Sequence, residues 1–116
     1  MIGCSCEVCR STDPHDKRTR SSILIEHEDT VVLVDTSTDF RFQALRAGIR
    51  RLDAILMTHA HADHLHGLDD TRSLTFDKTI TVYGSKNTID EIRKRFDYVF
   101  TPHKFGGGKP NLRLQD

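Results

Sequence analysis

The apolar run Ile55-Leu56-Met57 passes without a break into "THAHADHLHG", residues 58–67, where four histidines and an aspartate occupy ten positions. The stretch "DAILMTH", residues 53–59, shows no polar alternation and reads as a strand covered on both faces. The cluster therefore falls on a strand-end loop. Imidazole nitrogen and carboxylate oxygen are the donors that borderline divalent ions accept at about 2.0–2.2 Å. If the loop stays extended through His59 and His61, those alternate side chains point the same way and can share one ion, while Asp63 and His64 face a second. Two ions roughly 3.5–4 Å apart can generate hydroxide at neutral pH, a nucleophile that needs no Ser or Cys. A polar loop whose histidines bond backbone or solvent is the plainer alternative. Three histidines and an aspartate within residues 59–64 favour metal. His66 lies outside the spacing and reads as a donor behind the ligands or as exposed.

The surrounding pattern alternates strands and helices. Ile23 to His27 and Val31 to Val34 are β-branched, aliphatic runs divided by Glu28-Asp29, a β-hairpin. Phe42, Leu45 and Ile49 recur at helical spacing, with Ser37, Thr38 or Asp39 available as cap and Gly48 near the end. After the motif, "LDDTRSLTF" predicts a short helix and "TITVYG" a strand. "SKNTIDEIRKRF" predicts a helix capped by Ser85 or Asn87, with Ile89, Ile92 and Phe96 on one face. "DYVF" is read as a brief strand and "TPHKFGGGKPNLRLQD" as a Pro/Gly-rich segment of little periodicity. The fold class is α/β. "GGGKP" is no phosphate loop, because Pro110 stands where Ser or Thr must follow the lysine.

Bulk properties narrow the function. The 116 residues carry 17 Lys+Arg against 17 Asp+Glu, which removes the broad positive field of a protein that holds nucleic acid by charge. With 36% hydrophobic residues, 29% charged residues and no Trp, the core is thin for one domain, so a missing partner or missing sequence is expected. No apolar run approaches the about 20 residues that cross a bilayer, and no secretory signal opens the chain, so the cytoplasm is the expected location. Cys4, Cys6 and Cys9 are clustered too tightly to staple a fold by disulfides. Three thiolates can enclose one side of a tetrahedral zinc and need a fourth ligand; free buried thiols are the alternative.

Residues 58–64, "THAHADH", resemble the metal motif of the metallo-β-lactamase fold superfamily of dinuclear hydrolases. In that superfamily an earlier strand ends in an aspartate, which corresponds here to Asp35 in "VVLVDTSTDFR". The resemblance implies that Asp35 orients the motif loop from behind the ligands; a helix N-terminal or turn acid is the equal alternative. The opening "GCSCEVCRSTDPHDKRTRSS" is similar to the PhnP-like branch, the phosphoribosyl cyclic phosphate phosphodiesterases, where a C-x-C-x2-C cluster binds a structural zinc with a later histidine. Asp39-Phe40-Arg41 also resembles that branch's "D-F-R", although a helix cap is the preferred reading of Asp39.

The resemblance implies half of an αββα sandwich, a mixed sheet with flanking helices truncated at both ends. Residues 1–116 would form a partial domain that includes a Cys-rich zinc knuckle at 1–20. The third histidine of the first metal, a bridging aspartate and a histidine of the second metal have no counterpart in this chain. The implied activity is hydrolysis of a small cyclic or linear phosphodiester. His59 and His61 would hold one ion and Asp63 and His64 the other, zinc or manganese, with Asp63 and His64 nearest the chemistry; Cys4, Cys6 and Cys9 would hold structural zinc. The competing readings are an RNA 3′-end nuclease, a lactone or thioester hydrolase, or a non-catalytic zinc-binding half-domain that joins another chain. A small-molecule phosphodiester is the expected partner, nucleic acid is less favoured, and the uncovered sheet is open to homo-oligomerisation. His15, His27 and His103 read as surface histidines. Arg18 and Arg20 could meet a phosphate but read, like Arg93, Lys94 and Arg95, as solvated charge.

Overall fold

The computed structural model describes residues 1–102 and 107–116. Within the first twenty residues lie one helical turn, α1 (Glu7–Arg10), and a 3₁₀ turn at Pro14–Asp16. The expected hairpin follows as β1 (Ile23–His27) and β2 (Thr30–Val34), in which His27 pairs with Thr30 and Glu28 turns the chain at φ 50°. Next come α2 (Phe40–Ala47), β3 (Ala54–Met57) and α3 (Ala62–Leu65). A 3₁₀ helix (Leu68–Thr75), β4 (Ile80–Gly84), α4 (Lys86–Arg95), α5 (Asp97–Phe100) and β5 (Leu112–Gln115) complete the described chain. His103 lies outside the described residues.

The strands form one sheet in the order β1-β2-β3-β4-β5; β1 runs antiparallel to β2, and β2 to β5 are mutually parallel. A parallel pair needs a crossover, and the helices supply these. Every crossover helix that enters the core packs on one face. There Val31, Leu33, Ile55, Met57, Ile80 and Val82 meet Phe40, Leu65, Leu68, Ile89, Ile92, Phe96 and Val99. This is the α/β mixed sheet with flanking helices that the sequence predicted.

Four local expectations are corrected. β3 is covered on one face only: Ile55 and Met57 are buried, but Leu56 between them is 39% exposed. Its opposite face is apolar without being packed, so alternation is invisible in the sequence. In α2 the face judged inward is largely outward, because Phe40 is the buried anchor and Ala44 packs beside it. Phe42 and Leu45 are exposed, and only Ile49, beyond the left-handed Gly48, returns to the core. "DYVF" is helical, with Val99 buried and the Tyr98 hydroxyl donating to Asp69 Oδ1 at 2.6 Å. "LRLQ" is a strand, paired through Ile80–Leu112 and Val82–Leu114, because β4 offers it a parallel edge. By contrast, α4 is as expected: Ser85 Oγ accepts from Thr88 N, and Ile89, Ile92 and Phe96 are buried.

Candidate metal centre

Parallel strands that end together bring the loops after them together. Here the carboxyl ends of β2, β3 and β4 are followed by Asp35, by Thr58-His59 and by Ser85. Asp35 adopts φ 59°, a left-handed conformation that a short polar side chain tolerates better than most, and is 5% exposed. The bend keeps its backbone on the sheet, since Asp35 N donates to Leu56 O at 2.9 Å, while the carboxylate turns toward the motif. Asp35 Oδ1 accepts Thr58 N at 2.8 Å, and Oδ2 accepts Thr58 Oγ1 at 2.7 Å and His64 Nδ1 at 2.7 Å. A carboxylate offers only lone pairs, so His64 donates here from Nδ1–H.

Further ties fix the motif to the β2–α2 loop. Thr36 Oγ1 donates to Leu65 O at 3.1 Å, and Gly67 N donates to Thr36 O at 3.0 Å. Leu65, buried beneath the motif, anchors α3 in the core. On the other side the Arg95 guanidinium, held by Glu91 one turn earlier, donates to the carbonyl of Ala60. Arg95 is exposed, as expected from its run, but it is also tied to the loop between His59 and His61, because α4 lies against that loop.

These supports bring the rings together. The His59 centroid lies 4.7 Å from that of His61 and 4.2 Å from that of His64, and Asp63 Oδ2 lies 3.6 Å from His64 Nε2. His61 and Asp63 are exposed, whereas His59 and His64 are half-buried. His61 ends the extended segment and precedes α3, so Asp63 and His64 project from a helical turn rather than an open loop. A cleft of about 380 Å³ beside the rings is lined by His59, His61, Asn87, Glu91 and Arg95. A larger hollow of about 540 Å³, between α2 and the 3₁₀ helix, contains none of the motif side chains.

Among the described residues, one group of three or more such donors has all its ligand atoms within 4.8 Å of one another: Cys4, Cys6 and Cys9. The motif donors converge less closely. None of the three cysteines is fully buried, so the buried-thiol alternative does not describe them. The backbone N–H of Cys9 and the Cys4 thiol, hydrogen-bonded to Cys6, lower its pKa to about 7. A pKa lowered in this way favours thiolate, the metal-binding form.

The remaining candidates are dispersed. Asp39 sits at the N-cap of α2 without capping it by its side chain; its Oδ2 instead accepts Arg20 N at 2.7 Å. Arg18 donates to His15 O at 3.2 Å, and exposed His15 pairs with Asp13. His27 is exposed on β1, and His66 stands edge-on to Phe96 with centroids 6.2 Å apart. Sequence reasoning missed Thr58, Gly67 and Arg95. Only Thr58 offered a local signal, a hydroxyl directly before the first histidine.

A mixed sheet whose central strand β3 leads at its carboxyl end into H-x-H-x-D-H, backed by an aspartate that follows the neighbouring strand β2, defines a protein of the metallo-β-lactamase fold. Residues 30–115 match the beta-lactamase superfamily domain, and the chain belongs to that family. It is similar to the crystal structure of a diphosphatase of the PhnP family, with 40% identity and a TM-score of 0.86 over 98% of this chain and 43% of that one. An octanoyltransferase of Porphyromonas gingivalis is 50% identical over 97% of this chain but only 23% of its own length. A ribonuclease Z of Bradyrhizobium diazoefficiens is 37% identical over 66% of this chain and 28% of its own. The chain thus spans less than half the length of each. Among the described residues, no helix is long and apolar enough to cross a membrane.

Proposed function

We propose that the protein carrying this chain is a dinuclear metal-dependent hydrolase that cleaves a small cyclic or linear phosphodiester. The observation that carries this reading is the hold of Asp35 on His64 Nδ1, with the His59 and His61 rings gathered beside it at the end of β3. The donor set fits a divalent ion: with Nδ1 occupied, His64 turns Nε2 toward Asp63, and all four motif donors are nitrogen or oxygen. His59 and His61 would hold one ion and Asp63 and His64 the other, zinc or manganese, while Cys4, Cys6 and Cys9 hold structural zinc. When bound, the active-site ions would polarise a phosphoryl oxygen and acidify water.

The chain's own residues position this chemistry. Asp35 keeps the proton on His64 Nδ1, Arg95 restrains the His59-Ala60-His61 segment, and Asn87 contributes a neutral polar side chain to the adjacent cleft. Water attacks phosphorus, one P–O ester bond breaks, and the proton that water gives up passes by way of Asp63 to the leaving alkoxide, which departs as the alcohol. Asp63, exposed and 3.6 Å from His64 Nε2, would receive the proton from water. The names of the diphosphatase and ribonuclease relatives denote cleavage at phosphorus, which supports a phosphodiester; the octanoyltransferase, whose name denotes acyl transfer, matches over only 23% of its own length. The equal numbers of acidic and basic residues favour a small substrate over a nucleic acid.

The test is hydrolysis of bis(p-nitrophenyl) phosphate, a cyclic phosphate, a short RNA and a thioester by the intact protein loaded with zinc or manganese. The expected result is phosphodiester cleavage abolished by chelation and by His64→Ala. Cleavage of the thioester alone would overturn the substrate class. Residues 1–116 by themselves are expected to turn over little, since the motif offers only two donors to each ion.

A further inference from the structure

We infer that Thr58 is a positioning residue that relays the charge of Asp35 to His59 and thereby sets which nitrogen of that ring can bind a metal. The argument follows one proton at a time. Thr58 Oγ1 lies 2.7 Å from Asp35 Oδ2 and 2.9 Å from His59 Nδ1. A hydroxyl has a single proton to give, and the carboxylate can only accept. The Thr58 proton therefore points at Asp35, and its oxygen presents a lone pair to His59. The contact at His59 Nδ1 is then an N–H donated to Thr58, which leaves the ring's lone pair on Nε2.

The same carboxylate oxygen fixes His64 directly, since Oδ2 also accepts His64 Nδ1–H at 2.7 Å. One buried aspartate thus places two rings, 4.2 Å apart between centroids, in the same Nδ1–H tautomer. His64 is reached without an intermediary and His59 through the hydroxyl. The arrangement is rigid at its source, because Thr58 is also held to Asp35 by its backbone N–H at 2.8 Å. A side chain at 58 that lacks an oxygen would keep that backbone bond but leave His59 Nδ1 without its acceptor. The ligand class is a borderline divalent cation, which needs an unprotonated imidazole nitrogen.

This inference rests on the reading of His59 as a metal ligand, but its primary test needs no metal. Long-range ¹H–¹⁵N spectra of the metal-free protein, recorded about two pH units above the ordinary imidazole value of about 6.5, report the tautomer of each neutral ring. The wild type and Thr58→Ser are expected to show His59 and His64 both as Nδ1–H. In Thr58→Val, His59 shifts to Nε2–H while His64 stays Nδ1–H, which also shows that the loop remains folded. Zinc affinity measured by calorimetry is expected to fall about 10–100-fold in Thr58→Val and to be restored in Thr58→Ser. An Nε2–H tautomer at His59 in the wild type, or an unchanged Nδ1–H tautomer in Thr58→Val, would overturn the relay. If the tautomers are as expected but His59→Ala leaves zinc affinity unchanged, the relay stands and the assignment of His59 as a ligand fails.

Discussion

His64 Nδ1 lies 2.7 Å from Asp35 Oδ2, across 29 residues of sequence, and that bond joins the end of β2 to the helical turn that carries half of the motif. Asp35 is 5% exposed and accepts two further bonds from Thr58, so the carboxylate is structural as well as orienting. Asp35→Asn keeps a residue that tolerates φ 59° but loses acceptor capacity. Its zinc affinity is expected to fall about 10–100-fold with modest loss of stability. Asp35→Ala should lose at least as much affinity and a further ~1–3 kcal/mol of stability, from the polar groups it leaves unpaired. Calorimetric titration and urea denaturation separate the two effects; unchanged zinc affinity in both variants would contradict the orienting role.

Gly67 closes the motif against the β2–α2 loop. A Cβ there would lie 2.1 Å from Ser37 O and 2.7 Å from Phe40 Cβ, contacts that backbone and a buried anchor cannot relieve by a rotamer change. Gly67→Ala is therefore expected to destabilise the fold by at least ~1–3 kcal/mol, visible as a lower thermal midpoint. Gly48→Ala is the contrasting control: it meets no atom within 4 Å and is strained only by φ 66°.

Acid should weaken the join between β2 and β3. The hydrogen bond from Lys78 Nζ, then that from Val31 N–H, holds the Asp53 carboxyl below the usual carboxylate range. The folded value lies below the unfolded one of about 3.9, so the unfolded chain takes up the proton first on acidification. The contribution is complete above that pH and disappears as pH falls through the folded value. Because the pair is more than a third exposed, it amounts to less than about 1 kcal/mol. Thermal midpoints measured from neutral to acid pH should show a shallower acid limb in Asp53→Asn; an unchanged slope would count against this origin.

The sheet face opposite the helices should drive association of the isolated chain. Strand register aligns Ile23, Val34, Leu56 and Tyr83 in one row, and Ile23 is 59% exposed, Leu56 39% and Tyr83 39%. A contiguous apolar row of this kind favours contact with another surface. Purified residues 1–116 are expected to self-associate in light scattering and to bind a hydrophobic dye, with both effects reduced by Leu56→Lys. A monodisperse, dye-silent wild-type chain would rule this out.

The alternation of strands and helices, the caps and inward face of α4, and the donor types of residues 59–64 were legible because each depends on neighbours within a few positions. The face of α2 was not, since Phe42 and Leu45 satisfy the helical period as well as Phe40 and Ala44 do. Packing against β2 and Gly67 chose between them. β5 was equally silent in "NLRLQD", because its pairing energy comes from β4, about thirty residues earlier.

Ligand chemistry is a property of side-chain type and short spacing, so the H-x-H-x-D-H segment announces a candidate metal centre before any fold is known. Its geometry is a property of contact across the chain. The left-handed turn at Asp35, the bond to His64, the Thr58 contact with His59 and the Arg95 clamp on Ala60 arise only when parallel strands align their carboxyl ends and a crossover helix packs beside them. Hydrogen bonds require distances that sequence separation does not encode, and the sheet supplies them.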